Sequence, residues 1–106
     1  MIDPQDVQSP KRHLALVSVL VNSGLDGYSV ALVRWDGAPK LAMRWNGTDE
    51  NPIGNPQSRG LPTWFVVPDE FIQSTLAATN GNGVPIVPAE SQALARNFFA
   101  VRNIAA

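Results

Sequence analysis

The feature that most restricts the fold is an Asp36-Gly37 pair between two segments in which apolar residues alternate. Asp-Gly tolerates the positive φ angles of a tight turn, so the pattern predicts an antiparallel hairpin of strands 28–35 and 40–46. With residues 36–39 as the loop, Trp35 pairs with Lys40. Because side chains alternate along a strand, one face carries Val30, Leu32, Leu41, Met43 and Trp45, and the other carries Ala31, Val33, Trp35, Lys40, Ala42 and Arg44.

Two more strands and two helices complete the predicted order. The segment 13–22 is short and rich in Val and Leu, which is typical of a central strand buried on both faces. A short helix is the alternative. Residues 63–67 form a fourth strand. A helix over 69–79 starts at Asp69 and stops before Asn80-Gly81, and a last helix covers 89–103. Its apolar stripe comprises Leu94, Phe98, Val101 and Ala105.

This order predicts an α+β fold: a four-stranded antiparallel sheet, a meander, followed by two C-terminal helices packed on one face. The chain has 106 residues, which is typical of one domain. We therefore expect residues 1–11, which are polar and contain two prolines, to form a flexible N-terminal tail. Residues 12–106 form the single α+β domain.

Composition excludes several kinds of site. The chain has no cysteine, so disulfides, thiolate nucleophiles and cysteine-ligated metals are ruled out. No cofactor motif is present, and the lone His13 has no partner at a signature spacing. The N-terminus lacks the apolar core of a signal peptide and the run 14–21 is too short to span a bilayer, so we expect a cytoplasmic protein.

One candidate binding surface is the sheet face that bears Trp35, Lys40 and Arg44. An indole beside two cations can stack on a planar ligand or anchor a partner chain. Two helices cover only one face of a four-stranded sheet, so this second face is expected to need cover, and a homodimer would supply it. The alternative is structural: Arg-Trp-Asp-Gly at 34–37 and Arg-Trp-Asn-Gly at 44–47 both end at turns, where such residues are common.

A second candidate is the long polar loop 47–61, which contains Asp49, Glu50 and Arg59. Loops of this length are often functional, and the guanidinium of Arg59 could bind a small anionic ligand through a carboxylate or phosphate. The alternative is a solvated loop with an internal ion pair.

Together these features favour a small non-enzymatic binding or accessory protein that acts on a protein partner or on itself. A small enzyme remains open, with Arg59 binding an anionic substrate and Asp49 or Glu50 as the base. A nucleic-acid-binding module is the third hypothesis, which the net charge of −1 weakens. The chosen register also predicts that Trp45 is buried and Trp35 more exposed.

Overall fold

The computed structural model describes residues 1–100 of the chain. The strands are β1 (Leu14–Asn22), β2 (Tyr28–Trp35), β3 (Ala38–Trp45), β4 (Gln57–Ser58), β5 (Leu61–Pro62) and β6 (Phe65–Val66). The main sheet has the strand order β1-β2-β3-β6, with every neighbouring pair antiparallel, so the predicted α+β meander is confirmed. A small hairpin, β4-β5, lies at the end of the long loop.

The helices are α1 (Ile72–Leu76) and α2 (Ala89–Ala100), and 3-10 turns occupy Pro4–Asp6 and Asp69–Phe71. The predicted helix over 69–79 is therefore shorter, and it begins in 3-10 geometry. Val101, Arg102, Ala105 and the predicted end of the last helix lie outside the described residues. Among residues 1–100, no helix is long and apolar enough to cross a membrane.

The β2-β3 hairpin is tighter than the sequence predicted, because Trp35 pairs with Ala38 rather than with Lys40. Asp36 and Gly37 have φ angles of 50° and 83°, as a two-residue type I′ turn requires. Such a turn matches the twist of the flanking strands, so the four-residue loop was wrong. Since the register moves by two residues, every side chain keeps its predicted face.

The first strand is confirmed, but its predicted central position is wrong. Among the strands of residues 1–100, β1 pairs with β2 alone and forms one edge of the sheet. Its register shifts between Leu16 and Ser18 and again between Val19 and Val21, and Val17 is exposed. Such irregularities are common at edges, where they disfavour pairing with another chain.

Both helices pack on the face that carries Val30, Leu32 and Leu41. On α2 the buried positions are Ala95 and Phe99, while Leu94 is exposed, so the predicted apolar stripe is rotated by one position. Phe98 lies at the margin of this core, with the guanidinium carbon of Arg34 5.0 Å from its ring centroid. The remaining buried members are Leu20, Val67, Ile72, Leu76 and Val87.

The opposite face is covered by the chain itself. Residues 1–11, expected to be a flexible tail, dock there with Pro4 and Val7 buried. Trp64 packs beside Val7, and its indole Nε1 donates a hydrogen bond to the Val7 carbonyl at 2.7 Å. The prediction of an open apolar patch is therefore wrong. The buried residues of this second core are Val7, Leu14, Ala31, Val33, Ala42 and Trp64.

Candidate binding site

Two of the predicted binding residues have partners within the chain. Lys40 Nζ donates to both carboxylate oxygens of Asp69, at 3.0 and 3.1 Å. The half-buried Trp35 stacks on His13 with ring centroids 5.1 Å apart, and His13 Nδ1 lies 2.8 Å from Asp36 Oδ1. Trp35 and Trp64 both line a cavity of about 440 Å³. Trp35 and Lys40 therefore do not form the free indole-cation surface that the sequence indicated.

Arg44 is buried instead of lying at an exposed margin. Its Nη1 donates to the carbonyl oxygens of Thr63 at 2.5 Å and of Pro56 at 3.4 Å, and its Nη2 donates to the carbonyl of Ile53. Burial lowers the pKa of the guanidinium from its usual value. Arg44 forms no salt bridge with a carboxylate of residues 1–100. Its charge is therefore stabilised mainly by these backbone carbonyls. Arg44 thus braces the segment 53–63 against β3.

The three charged residues of the long loop are exposed and do not pair with one another. No salt bridge within the described chain involves Asp49, Glu50 or Arg59, so the internal ion pair considered for this loop is not formed. Arg59 lies in the turn between β4 and β5 with a φ of 53°. Their role in ligand binding remains a prediction.

The same loop nevertheless borders a concave site. Asn55 pairs with Trp45 in an isolated bridge, with Trp45 N donating to Asn55 O at 2.7 Å and Asn55 N donating to Trp45 O at 3.1 Å. Gly54 has a φ of +71° and lies so close to the Trp45 carbonyl and the Arg44 guanidinium that a Cβ would clash. These contacts hold residues 54–56 beside the end of β3.

A buried polar cluster anchors the other side of this strand end. Ser29 Oγ donates to Asn46 Oδ1 at 2.5 Å, and Asn46 Nδ2 donates to Asn22 Oδ1 at 3.0 Å and to the Gly24 carbonyl at 2.8 Å. Both Ser29 and Asn46 are buried. Because a satisfied buried network specifies one arrangement, it holds the turn 23–27 and the start of the long loop together.

An apolar groove of about 590 Å³ lies between the sheet, the end of α1 and this loop. Val30 and Met43 belong to the strands that form its floor. The far wall comes from the C-terminal part of α1 and the segment that follows it, and the near wall from the long loop. The other lining residues are Tyr28, Arg44, Trp45, Asn55, Pro56, Phe65, Thr75, Ala78, Ile86 and Val87.

Exposed aromatic side chains border the groove. Trp45 is 63% exposed and Phe65 57% exposed, and the Tyr28 and Trp45 rings meet edge to face at 6.4 Å. The prediction that Trp45 is buried is therefore wrong. Its face was correct, but Trp45 stands at the last position of β3, where the helices no longer cover the sheet. Large exposed aromatics beside a concavity are typical of interaction sites.

A smaller, more polar cavity of about 250 Å³ adjoins the same indole. It is lined by Asp26, Gly27, Trp45, Gly47, Thr48, Asn51, Gly54 and Asn55. Trp45 and Asn55 thus belong to both cavities. Within the described part of the chain, no group of three or more His, Asp or Glu side chains could hold a metal ion.

Scans against protein-family models, curated proteins and solved structures found no match for this chain. The geometry of the site itself is therefore the basis for its function.

Proposed function

We propose that this chain is a non-enzymatic binding protein that takes a small molecule with an apolar body into the groove beside Trp45. The observation that carries the proposal is the pair of exposed aromatics, Trp45 and Phe65, on a concave apolar surface. Exposing two large aromatic side chains forfeits the free energy of their burial, about 2 kcal/mol each. A ligand that covers them recovers this free energy.

The size of the groove favours a small molecule over a folded partner. Its volume of about 590 Å³ lies within the range of typical ligand pockets, roughly 300–1,000 Å³. A stable protein interface instead needs about 800 Å² from each partner, usually on a flatter surface.

Two alternative hypotheses receive less support from the structure than the groove does. The sheet face proposed for a homodimer is covered by residues 1–11 and Trp64, so it no longer needs a second copy. The hypothesis of an enzyme with Arg59, Asp49 and Glu50 required these residues at one site, but none of them lines the groove or the adjoining cavity.

The experiment is a titration of isotopically labelled protein with n-octanol, monitored by amide chemical shifts. We expect saturable shifts at Val30, Met43, Ile86 and Val87. Ala78→Phe places a ring in the groove and should weaken binding at least tenfold. The matched control is Ala77→Phe, since Ala77 is exposed and does not line the groove. Shifts that are absent, or that are equal in the two variants, would refute the proposal.

A further inference from the structure

The polar cavity next to the groove identifies the class of ligand more closely. Resting on the function proposed above, we infer that the ligand is amphipathic, with its apolar body in the groove and an uncharged, hydroxyl-bearing head group in the cavity lined by Asp26, Thr48 and Asn51. The two cavities share Trp45 and Asn55 as lining residues. A single molecule can therefore contact both by passing over the exposed indole.

The charges around the smaller cavity disfavour an ionic head group of either sign. Asp26 is the charged side chain that lines the cavity, and it forms no salt bridge with any residue of the described range 1–100, so its carboxylate repels an anion. Because Asp26 is exposed, water screens this carboxylate and it attracts a cation only weakly. Arg44 does not line the cavity but is close to it, since a Cβ on the lining residue Gly54 would lie 2.7 Å from Arg44 Nη2. This desolvated guanidinium repels a cation.

The hydrogen-bonding groups of the cavity match hydroxyls. A carboxylate only accepts, whereas the amides of Asn51 and Asn55 each offer a donor and an acceptor. Thr48 Oγ1 accepts a hydrogen bond from the backbone N–H of Asn51 at 2.9 Å, so the Thr48 hydroxyl can still donate its own hydrogen. A hydroxyl both donates and accepts, so a polyol such as a sugar can satisfy this mixed set. The apolar C–H face of a sugar ring can also lie on the Trp45 indole.

The test compares eight-carbon probes that differ only in their heads, each below the concentration at which it forms micelles. They are n-octyl β-D-glucoside, n-octanol, octyl sulfate and octyltrimethylammonium, with glucose as the head alone. We expect octyl glucoside to bind at least fivefold more tightly than the other probes. Only this probe should shift the amides of Asp26, Thr48 and Asn51.

Two substitutions separate the head from the body. Asp26→Asn removes the carboxylate charge at a φ of 60°, which Asn tolerates, and Thr48→Val removes the hydroxyl. Each should lower octyl glucoside affinity threefold or more and leave n-octanol affinity unchanged. Asp49→Asn is the matched control, because Asp49 is exposed and does not line the cavity.

The outcomes distinguish this inference from the proposed function. Equal affinity for n-octanol and octyl glucoside, or tighter binding of either charged probe, would overturn the assignment of the head group while the groove remained the binding site. If no probe bound, the groove itself would fail as a site, and the proposed function would fail with it.

Discussion

Replacing Arg44 tests whether a buried cation holds the long loop in place. Arg44→Met keeps much of the side-chain volume but removes every donor of the guanidinium. The carbonyls of Thr63 and Ile53 would then lose their partner in a water-poor environment, and the longer bond to Pro56 would be lost as well. Arg44→Lys keeps the charge, but a single ammonium cannot span these carbonyls as a planar guanidinium does.

The size of the effect follows from these contacts. Each buried carbonyl left without a donor costs about 1–3 kcal/mol. Arg44 has no carboxylate partner among residues 1–100, so removing its desolvated charge offsets part of this cost. We therefore expect Arg44→Met to lower the free energy of unfolding by about 3 kcal/mol, and Arg44→Lys to fall between Met and the native residue. For a domain of this size the loss is a large share of a total of about 5–15 kcal/mol.

Urea unfolding followed by tryptophan fluorescence measures this loss, with the slope m as a check that unfolding remains two-state. Lys40→Met is the control on the same face of β3. Its ion pair with Asp69 is partly solvated, with side-chain exposures of 22% and 35%, so we expect a loss below about 1 kcal/mol. Faster hydrogen exchange at the Trp45 and Asn55 amides should accompany Arg44→Met alone. A loss no larger than that of Lys40→Met would refute the bracing role of Arg44.

Three further predictions concern stability. Trp64→Ala should lower the free energy of unfolding by about 3–5 kcal/mol, because Trp64 is buried and hydrogen-bonded to the Val7 carbonyl. Trp45 is exposed, so Trp45→Ala should lower it by about 1 kcal/mol or less. Equal losses in urea titrations would contradict the fold. Val7→Asp should lower the free energy of unfolding by at least about 3 kcal/mol, because it buries a charge against the sheet. Gln8 is exposed, so Gln8→Asp should leave the stability unchanged. If neither variant loses stability, residues 1–11 are not docked. Asn46→Ala should lower the free energy of unfolding by about 2–3 kcal/mol and release the turn 23–27. Hydrogen exchange at the Gly27 and Tyr28 amides should then become faster. Unchanged exchange there would show that the cluster around Asn46 does not hold the turn.

The sequence was sufficient for the elements that local patterns specify. Alternation in 28–35 and 40–46, with Asp-Gly between them, predicts the hairpin and the face of each side chain. The type I′ turn shortened the loop by two residues, so the faces were retained although the pairing changed. The helix start after Pro68 is likewise a local signal, whereas the exposure of Leu94 depends on how α2 is rotated on the sheet.

What the sequence could not supply is the set of contacts between distant segments. Val7 and Trp64 are 57 residues apart, and their hydrogen bond decides that the second sheet face is covered. In the same way, the sequence alone predicts that Arg44 is an exposed cation on a strand. In the fold, backbone carbonyls of the segment 53–63 surround its guanidinium. Because of these contacts, the candidate site is the groove beside Trp45 and not the sheet face that bears Trp35.

One signal for the groove was present in the sequence. Trp45 lies next to the end of the predicted strand 40–46, whose other residues on that face are apolar, and a loop rich in proline and glycine follows it. A core residue at a strand end needs cover from a neighbouring element. The short α1, which ends at Leu76, does not provide that cover.

The most direct test of the proposed binding function is to locate the bound alkyl chain. Isotope-filtered nuclear Overhauser spectra of the protein with n-octyl β-D-glucoside report which protein protons lie within about 5 Å of the probe. The groove predicts contacts from the alkyl protons to the methyl groups of Met43, Ile86 and Val87 and to the Trp45 ring. Contacts confined to exposed apolar residues away from the groove, such as Leu61 and Leu94, would contradict it.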